Sequence, residues 1–351
     1  MTNRRIRRLL FAGGAVAALL GAAIVVICYW PVALPPPLPN PNGYDELLRA
    51  AQAVKGKIGD AAELDHNALR ALVATNAEVL RLVREGLSLP CAVPTEAQIA
   101  NFATISRDLI GLRSLATILS AEGRLAEMED RPADSARSYV DAIRLGSEMS
   151  RGGLMINRLV GIACEGRGSI DLVELLPKIN CEQVRPIITG LEKLDASTVS
   201  WREVLQNENR FARAQLGNYP NPVKLVSDWW KARDTRKVAG QRHDLAAAHV
   251  RLLMVELALR LYRCDHGNSP GNLTQLVPKY LERLPKDPFN DKPLIYRPSG
   301  TNWVLYSLGP DRKDNGGKPM GKITEDYLLG VGASKSGEKK NEGDLFYNSD
   351  W

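Results

Sequence analysis

The sequence predicts a mainly α-helical protein. It would have an N-terminal transmembrane helix, a multi-helix antiparallel array, and a small C-terminal α+β domain carrying an antiparallel sheet. Three observations predict this. Residues Leu9 to Trp30 contain no charge. From Tyr44 to about Gln241, apolar residues recur every three or four positions, as in Leu69, Leu72, Val79, Leu80 and Val83, and no run alternates as a strand would. Two short β-rich runs then follow a helix with a wide apolar face. The expected division is a basic stub and anchor over 1–30, a proline-rich linker over 31–43, a helical domain over 44–240 and an α+β domain over 241–351.

At roughly 1.5 Å rise per residue, the uncharged run spans a hydrocarbon core of about 30 Å. Arg4, Arg5, Arg7 and Arg8 precede it and no basic residue follows closely, which places the N-terminus in the cytoplasm. Tyr29 and Trp30 fall where interfacial aromatic anchors occur. A cleaved signal peptide would have an apolar core of roughly 7–15 residues and a small-x-small cleavage site; this run is longer and lacks the site. The expected location is the inner membrane, with the soluble part on the periplasmic side. Net charge is +6, and removing the four leading arginines leaves +2, too little for a nucleic-acid footprint. At 351 residues, the chain can hold two domains that each bury a core.

Pro31 to Gly43 reads as a stiff spacer, because five prolines between 35 and 41 fix φ and remove donors. Helix starts follow. Thr95-Glu-Ala-Gln98 and Asn180-Cys-Glu-Gln183 fit capping boxes, and Asp134 after Pro132 is a candidate N-cap. Six to eight antiparallel helices are expected in this region. One helix pair resembles a tetratricopeptide unit, with Leu119 and Gly123 in its first helix and Ser135, Tyr139 and Ala142 in its second. The family's tryptophan and closing proline are missing, and no second copy follows at the repeat period. Small residues at any helical hairpin crossing account for the same pattern. Such a repeat-like surface would bind protein partners.

The five cysteines are Cys28, Cys91, Cys164, Cys181 and Cys264, at spacings that match no metal motif. The four outside the anchor allow two disulfides in three connectivities, or isolated buried thiols. Helix is expected through the Trp229–Trp230 pair, with at least one ring partly exposed, and on to Tyr262, with a break near Gly240. The stripe Val250, Leu253, Met254, Leu257 and Leu261, broadened by Leu252, Val255 and Leu259, requires cover on most sides. Gly267 suits a left-handed helix cap. A second helix is expected near Leu273 to Leu284, closed by Pro285. Pro288 after Asp287 makes a turn toward a hairpin of Leu294–Arg297 and Asn302–Ser307, packed on the long helix.

From Arg251 to Gly317, the order is long apolar helix, Leu284-Pro-Lys-Asp-Pro-Phe289, Leu294-Ile-Tyr, then Trp303-Val-Leu-Tyr-Ser-Leu-Gly-Pro-Asp311. It resembles the soluble part of the major pseudopilins of type II secretion. The resemblance covers about a fifth of the chain. It implies a helix-and-sheet head, an assembly role rather than catalysis, and a calcium loop. Asp311 and Asp314 on the glycine-rich stretch Gly309–Gly317 are two carboxylates, where calcium takes six to eight oxygens. The resemblance implies that backbone carbonyls around Leu308 and a later acidic residue, Asp344, complete the set. A solvated Asp/Asn/Gly turn is the alternative. The chain departs from the family in the Lys- and Gly-rich segment Lys318–Glu342, and in having no glutamate in the apolar run after Gly13, Gly14 or Gly21.

Signals for catalysis are sparse. Gly267-Asn-Ser-Pro-Gly271 satisfies G-x-S-x-G, but a long helix precedes it and Pro270 follows the serine, whereas a nucleophile elbow needs strand before and helix after. The four histidines, His66, His243, His249 and His266, form no metal motif. Glu127, Glu129 and Asp130 read as solvated helix surface. The expected function is a non-catalytic, membrane-anchored assembly or scaffold protein of the bacterial envelope, associated with type II secretion or a pilus-like system. An envelope structural or sensor protein that reuses the head, and an enzyme with a concealed site, are the alternatives.

Overall fold

The computed structural model describes residues 36–56, 63–95, 102–216, 227, 230–300, 302–320 and 343–346. The anchor, its arginines, Cys28, Trp229 and most of the Thr95–Gln98 box lie outside these residues. No helix among the described residues is long and apolar enough to cross a membrane. The chain is mainly helical, with one small two-stranded antiparallel sheet. In order, the helices are α1 (Gly43–Gln52), α2 (His66–Thr75), α3 (Ala77–Ser88), α4 (Phe102–Met128), α5 (Pro132–Glu148), α6 (Met155–Leu175), α7 (Cys181–Ser197), α8 (Trp201–Leu216) and α9 (Arg233–His266). Strands β1 (Ile295–Ser299) and β2 (Asn302–Tyr306) follow.

Local chemistry sets the helix starts. Asn42 Oδ1 accepts from Tyr44 N at 3.2 Å and from Ala92 N at 2.9 Å, so it caps α1 and pins the end of the linker to a distant loop. Asn180 and Gln183 form a reciprocal capping box on α7, as expected. The start of α5 differs from expectation. Arg131 is the N-cap, Pro132 is the first helical residue, and Asp134 lies in the first turn, because proline already supplies the φ a helix start needs.

Three other expectations are corrected. Helix α9 runs through Gly240 without a break; Gly240 packs against the Trp201 indole, where a Cβ would lie 2.9 Å from Nε1. Leu273 to Leu284 is not a second helix. A short 3₁₀ turn at Leu273–Leu276 ends before Pro278, which cannot donate to continue it. Glu127 and Glu129 are not simply solvated: Glu127 accepts from Tyr139 Oη and Lys178 Nζ, and Glu129 from Arg70 and Arg131. Gly267 does cap α9 at φ 75°, and Trp230 is exposed.

Close helix crossings depend on glycine. At Gly123, a Cβ would sit 2.3 Å from Cε1 of the buried Tyr139 ring, so α4 and α5 approach through this pair. Gly146 of α5 and Gly161 of α6 face one another. A Cβ on either would come within 2.3 Å of the other's carbonyl oxygen.

Two large apolar clusters result. One joins α1, α3 and α4 around Leu47, Val83, Leu112, Leu115 and Leu119, and takes in Leu145 of α5 and Met149 at its C-cap. The other runs from Tyr139, Ile143 and Leu172 through Ile188 and Leu191 to the apolar face of α9, then to Leu276, Phe289, Leu294 and Leu305. The core therefore continues across residue 240. Helices α6 and α7 cover most of the wide face of α9, and the sheet covers less.

Polar ties reinforce this junction. Arg158 of α6, wholly buried, donates through Nη1 to Glu165 Oε1 at 2.5 Å and through Nη2 to Oε2 at 3.1 Å. Its Nε donates to His243 Nδ1 of α9 at 3.0 Å. Burial, then the neighbouring Arg158 and Arg251, hold the His243 pKa down to about 3, so the ring is neutral and accepts at Nδ1. A disulfide between Cys181 and Cys264 joins the start of α7 to the end of α9, while Cys91 and Cys164 are free buried thiols. The outcome lies between the two alternatives, with one disulfide formed and two thiols left buried.

Candidate functional site

The hairpin and the aspartate loop are built outward from α9. Strand β1 pairs with β2 in the register Ile295↔Tyr306 to Ser299↔Asn302. Trp303 donates from Nε1 to Glu256 of α9 at 2.7 Å, and the Arg263 guanidinium lies 4.9 Å from the centre of the Trp303 ring. The hairpin is therefore fixed to the long helix by a hydrogen bond and a cation–π contact. Ser269 Oγ is engaged with the hairpin turn, near Gly300 O at 3.0 Å and Asn302 O at 3.2 Å.

Asp287, which sequence reasoning passed over as part of the Pro288 turn, organises the base of the site. Its buried carboxylate accepts from Phe289 N at 3.0 Å, Ser307 Oγ at 3.0 Å and Leu308 N at 2.9 Å. The Lys-Asp-Pro turn is thereby tied to the end of β2. The signal available was the Asp-Pro pair itself, since an aspartate there bonds to the backbone two residues on.

Each proposed ligand can be placed. Leu308 presents its N–H to Asp287. Asp311 accepts from Lys313 N at 3.0 Å, Asn315 Nδ2 at 3.1 Å and Gly343 N at 3.4 Å. Asp344 is fully buried; it accepts from Asn315 N at 3.1 Å and Gly317 N at 2.7 Å. Asp311 and Asp344 thus converge on Asn315. Asp314 faces elsewhere, accepting from Tyr306 Oη and Gly316 N, both at 2.8 Å, and lying 3.4 Å from Arg297. The Gly316 N–H and then the Tyr306 hydroxyl hold its carboxyl below the usual range.

The long segment before Asp344 does not separate it from the loop. Ser307 and Leu345 exchange two backbone hydrogen bonds at 2.9 Å, Asp344 N donates to Lys318 O, and Met320 N donates to Asp344 O, both at 2.8 Å. The chain therefore leaves at Met320 and returns beside it at Gly343.

These carboxylates already accept N–H or O–H donors, and among the described residues no three His, Cys, Asp or Glu side chains come together as metal ligands. As arranged, the residues present do not make the oxygen cage that calcium takes. Their chemistry is that of a hydrogen-bonded brace closing the last loop against β2. Behind it, burial pushes the Asp244 pKa up to about 6, against the pull of Arg312 and Arg251. No family model, curated protein or solved structure matches the chain.

Proposed function

We propose that the chain is a non-catalytic, single-pass scaffold of the bacterial envelope, with its N-terminus in the cytoplasm and its helical array and pseudopilin-like head on the periplasmic side. The observation that carries this reading is the Cys181–Cys264 disulfide, which staples the array to the long helix of the head. Such bonds persist in oxidising compartments. The uncharged run Leu9–Trp30 behind four arginines supports the same orientation. The order of long helix, hairpin and aspartate loop supports association with type II secretion or a pilus-like system.

One observation favours the second reading, an envelope structural or sensor protein that reuses the head without secretion. The apolar face of α9 is covered mainly by α6 and α7, so the head is not a free-standing unit. One experiment tests the placement common to both readings and a second separates them. Thiol alkylation of membranes before and after reduction, read by intact mass, should show Cys181 and Cys264 blocked; free thiols at both positions would sink the periplasmic placement. Crosslinking in cells followed by detergent purification should recover secretion or pilus components. Recovery of other envelope proteins alone favours the second reading. Calcium is an independent probe of the head: a saturable rise in melting temperature, abolished by Asp311→Ala, would mean that the loop rearranges around the ion.

A further inference from the structure

A second polar site lies on the helical array. Helices α4, α5 and α6, with Lys178 just beyond, line a cleft of about 290 Å³. This is just below the roughly 300–1,000 Å³ usual for small-molecule sites, which suits a very small ligand. Most charged groups in the cleft are already satisfied. Asp171 accepts from Ser120 Oγ at 2.5 Å and lies 3.9 Å from Arg167, while Glu127 accepts from Lys178 Nζ at 2.7 Å and Tyr139 Oη at 3.2 Å.

Two groups of opposite sign remain. Arg124 of α4 has a buried Nε with no hydrogen-bond partner among the described residues. An unmet buried donor is unfavourable, and at Nε the guanidinium lacks an acceptor. Glu174 of α6, an exposed carboxylate on the same cleft, has no hydrogen bond or ion pair among the described residues. Both act electrostatically on Asp171, so they share one neighbourhood, yet they do not bond to one another. A dianion would meet three carboxylates here, and a dication would meet three basic side chains. The complement of one unmet guanidinium and one unmet carboxylate is a molecule with both an anionic and a cationic end.

We propose that this cleft binds a small zwitterion bearing an α-carboxylate and an ammonium group, its carboxylate on Arg124 and its ammonium on Glu174. Free amino acids and short peptides share this chemistry. The site does not depend on the head or on any role in secretion.

The test is calorimetric titration of the full chain in detergent micelles with four probes at millimolar concentration: alanine, dialanine, succinate and putrescine. Saturable binding of alanine or dialanine, with neither succinate nor putrescine binding, is the expected result. The stronger of the two identifies the source as amino acid or peptide. Arg124→Met and Glu174→Gln should each weaken binding at least about tenfold, the scale of one charge-assisted hydrogen bond. Neither variant should melt below the parent, because neither side chain holds a hydrogen-bonding partner among the described residues. Equal binding of succinate, undiminished by Glu174→Gln, would overturn the proposal in favour of a plain anion site. Failure of both zwitterions to bind, or binding that survives Arg124→Met, would overturn it outright.

Discussion

Asp287 shows how much one buried carboxylate can organise. It satisfies the Phe289 and Leu308 N–H groups and the Ser307 hydroxyl, so its removal strands several donors at once. Asp287→Ala should cost about 3 kcal/mol or more in denaturant unfolding, given 1–3 kcal/mol for each unmet buried group; Asp287→Asn should fall between variant and parent. A loss under about 1 kcal/mol would remove Asp287 from its place as organiser. Residue-scale charge also shapes the pH response. Burial holds His243 and His249 down to about 3, below their unfolded values, so their share of stability is complete above pH 6.5 and is lost as pH falls toward 3. Burial raises Asp171 and Asp244 to about 6, so their share is present below pH 4 and is lost as pH rises through 6. The two trends oppose one another between pH 4 and 6. Asp171→Asn removes one opposing contribution, so stability of the variant should rise with pH more steeply than the parent's in that window, by of the order of 1 kcal/mol per pH unit. Denaturant melts at half-unit pH steps would show equal slopes if this were mistaken. None of these partners was legible in the sequence. Arg158 and His243 stand 85 positions apart and Asp287 and Leu308 stand 21 apart, separations at which local pattern carries no information.

At the scale of elements, periodicity was a reliable guide where a helix buries one stripe, and failed where tertiary contact overrode local preference. Gly240 reads as a break because glycine weakens a helix by about 1 kcal/mol, yet the Trp201 indole occupies the space a side chain would need. Residues 273–284 read as a helix from their leucines, but Leu276, Tyr280 and Leu281 reach the core from turns. The Gly123–Tyr139 approach was legible, since a glycine facing an aromatic is a local pairing of neighbouring helices. The tighter Gly146–Gly161 crossing went unnoticed because neither residue interrupts its helix. Gly146→Ala should be the more damaging substitution. Its methyl would meet backbone, which has less freedom to yield than the Tyr139 ring that Gly123→Ala would meet. An overpacking cost of about 2–3 kcal/mol is expected for Gly146→Ala, and a smaller one for Gly123→Ala, both measured as shifts in denaturant midpoint. The reverse order would show that the α5–α6 crossing has slack.

At the scale of the whole molecule, the array and the head share one apolar cluster and one disulfide. The bond spans 83 positions in sequence and joins elements on either side of the expected domain boundary. Cys181→Ser with Cys264→Ser should lower stability by about 2–5 kcal/mol. Both parts should unfold in a single transition, monitored by tryptophan fluorescence and far-ultraviolet circular dichroism together; two separated transitions would mean that the shared cluster does not couple them. The close return of the chain at Gly343 has a practical consequence. Met320 N donates to Asp344 O, and a Cβ on Gly343 would lie 2.8 Å from the Met320 backbone, so the two ends of the intervening stretch adjoin. Loop-closure cost grows only slowly with length. Lengthening the stretch between these adjoining ends with a fluorescent reporter or affinity tag should therefore leave Asp344 and Leu345 in their seats against β2.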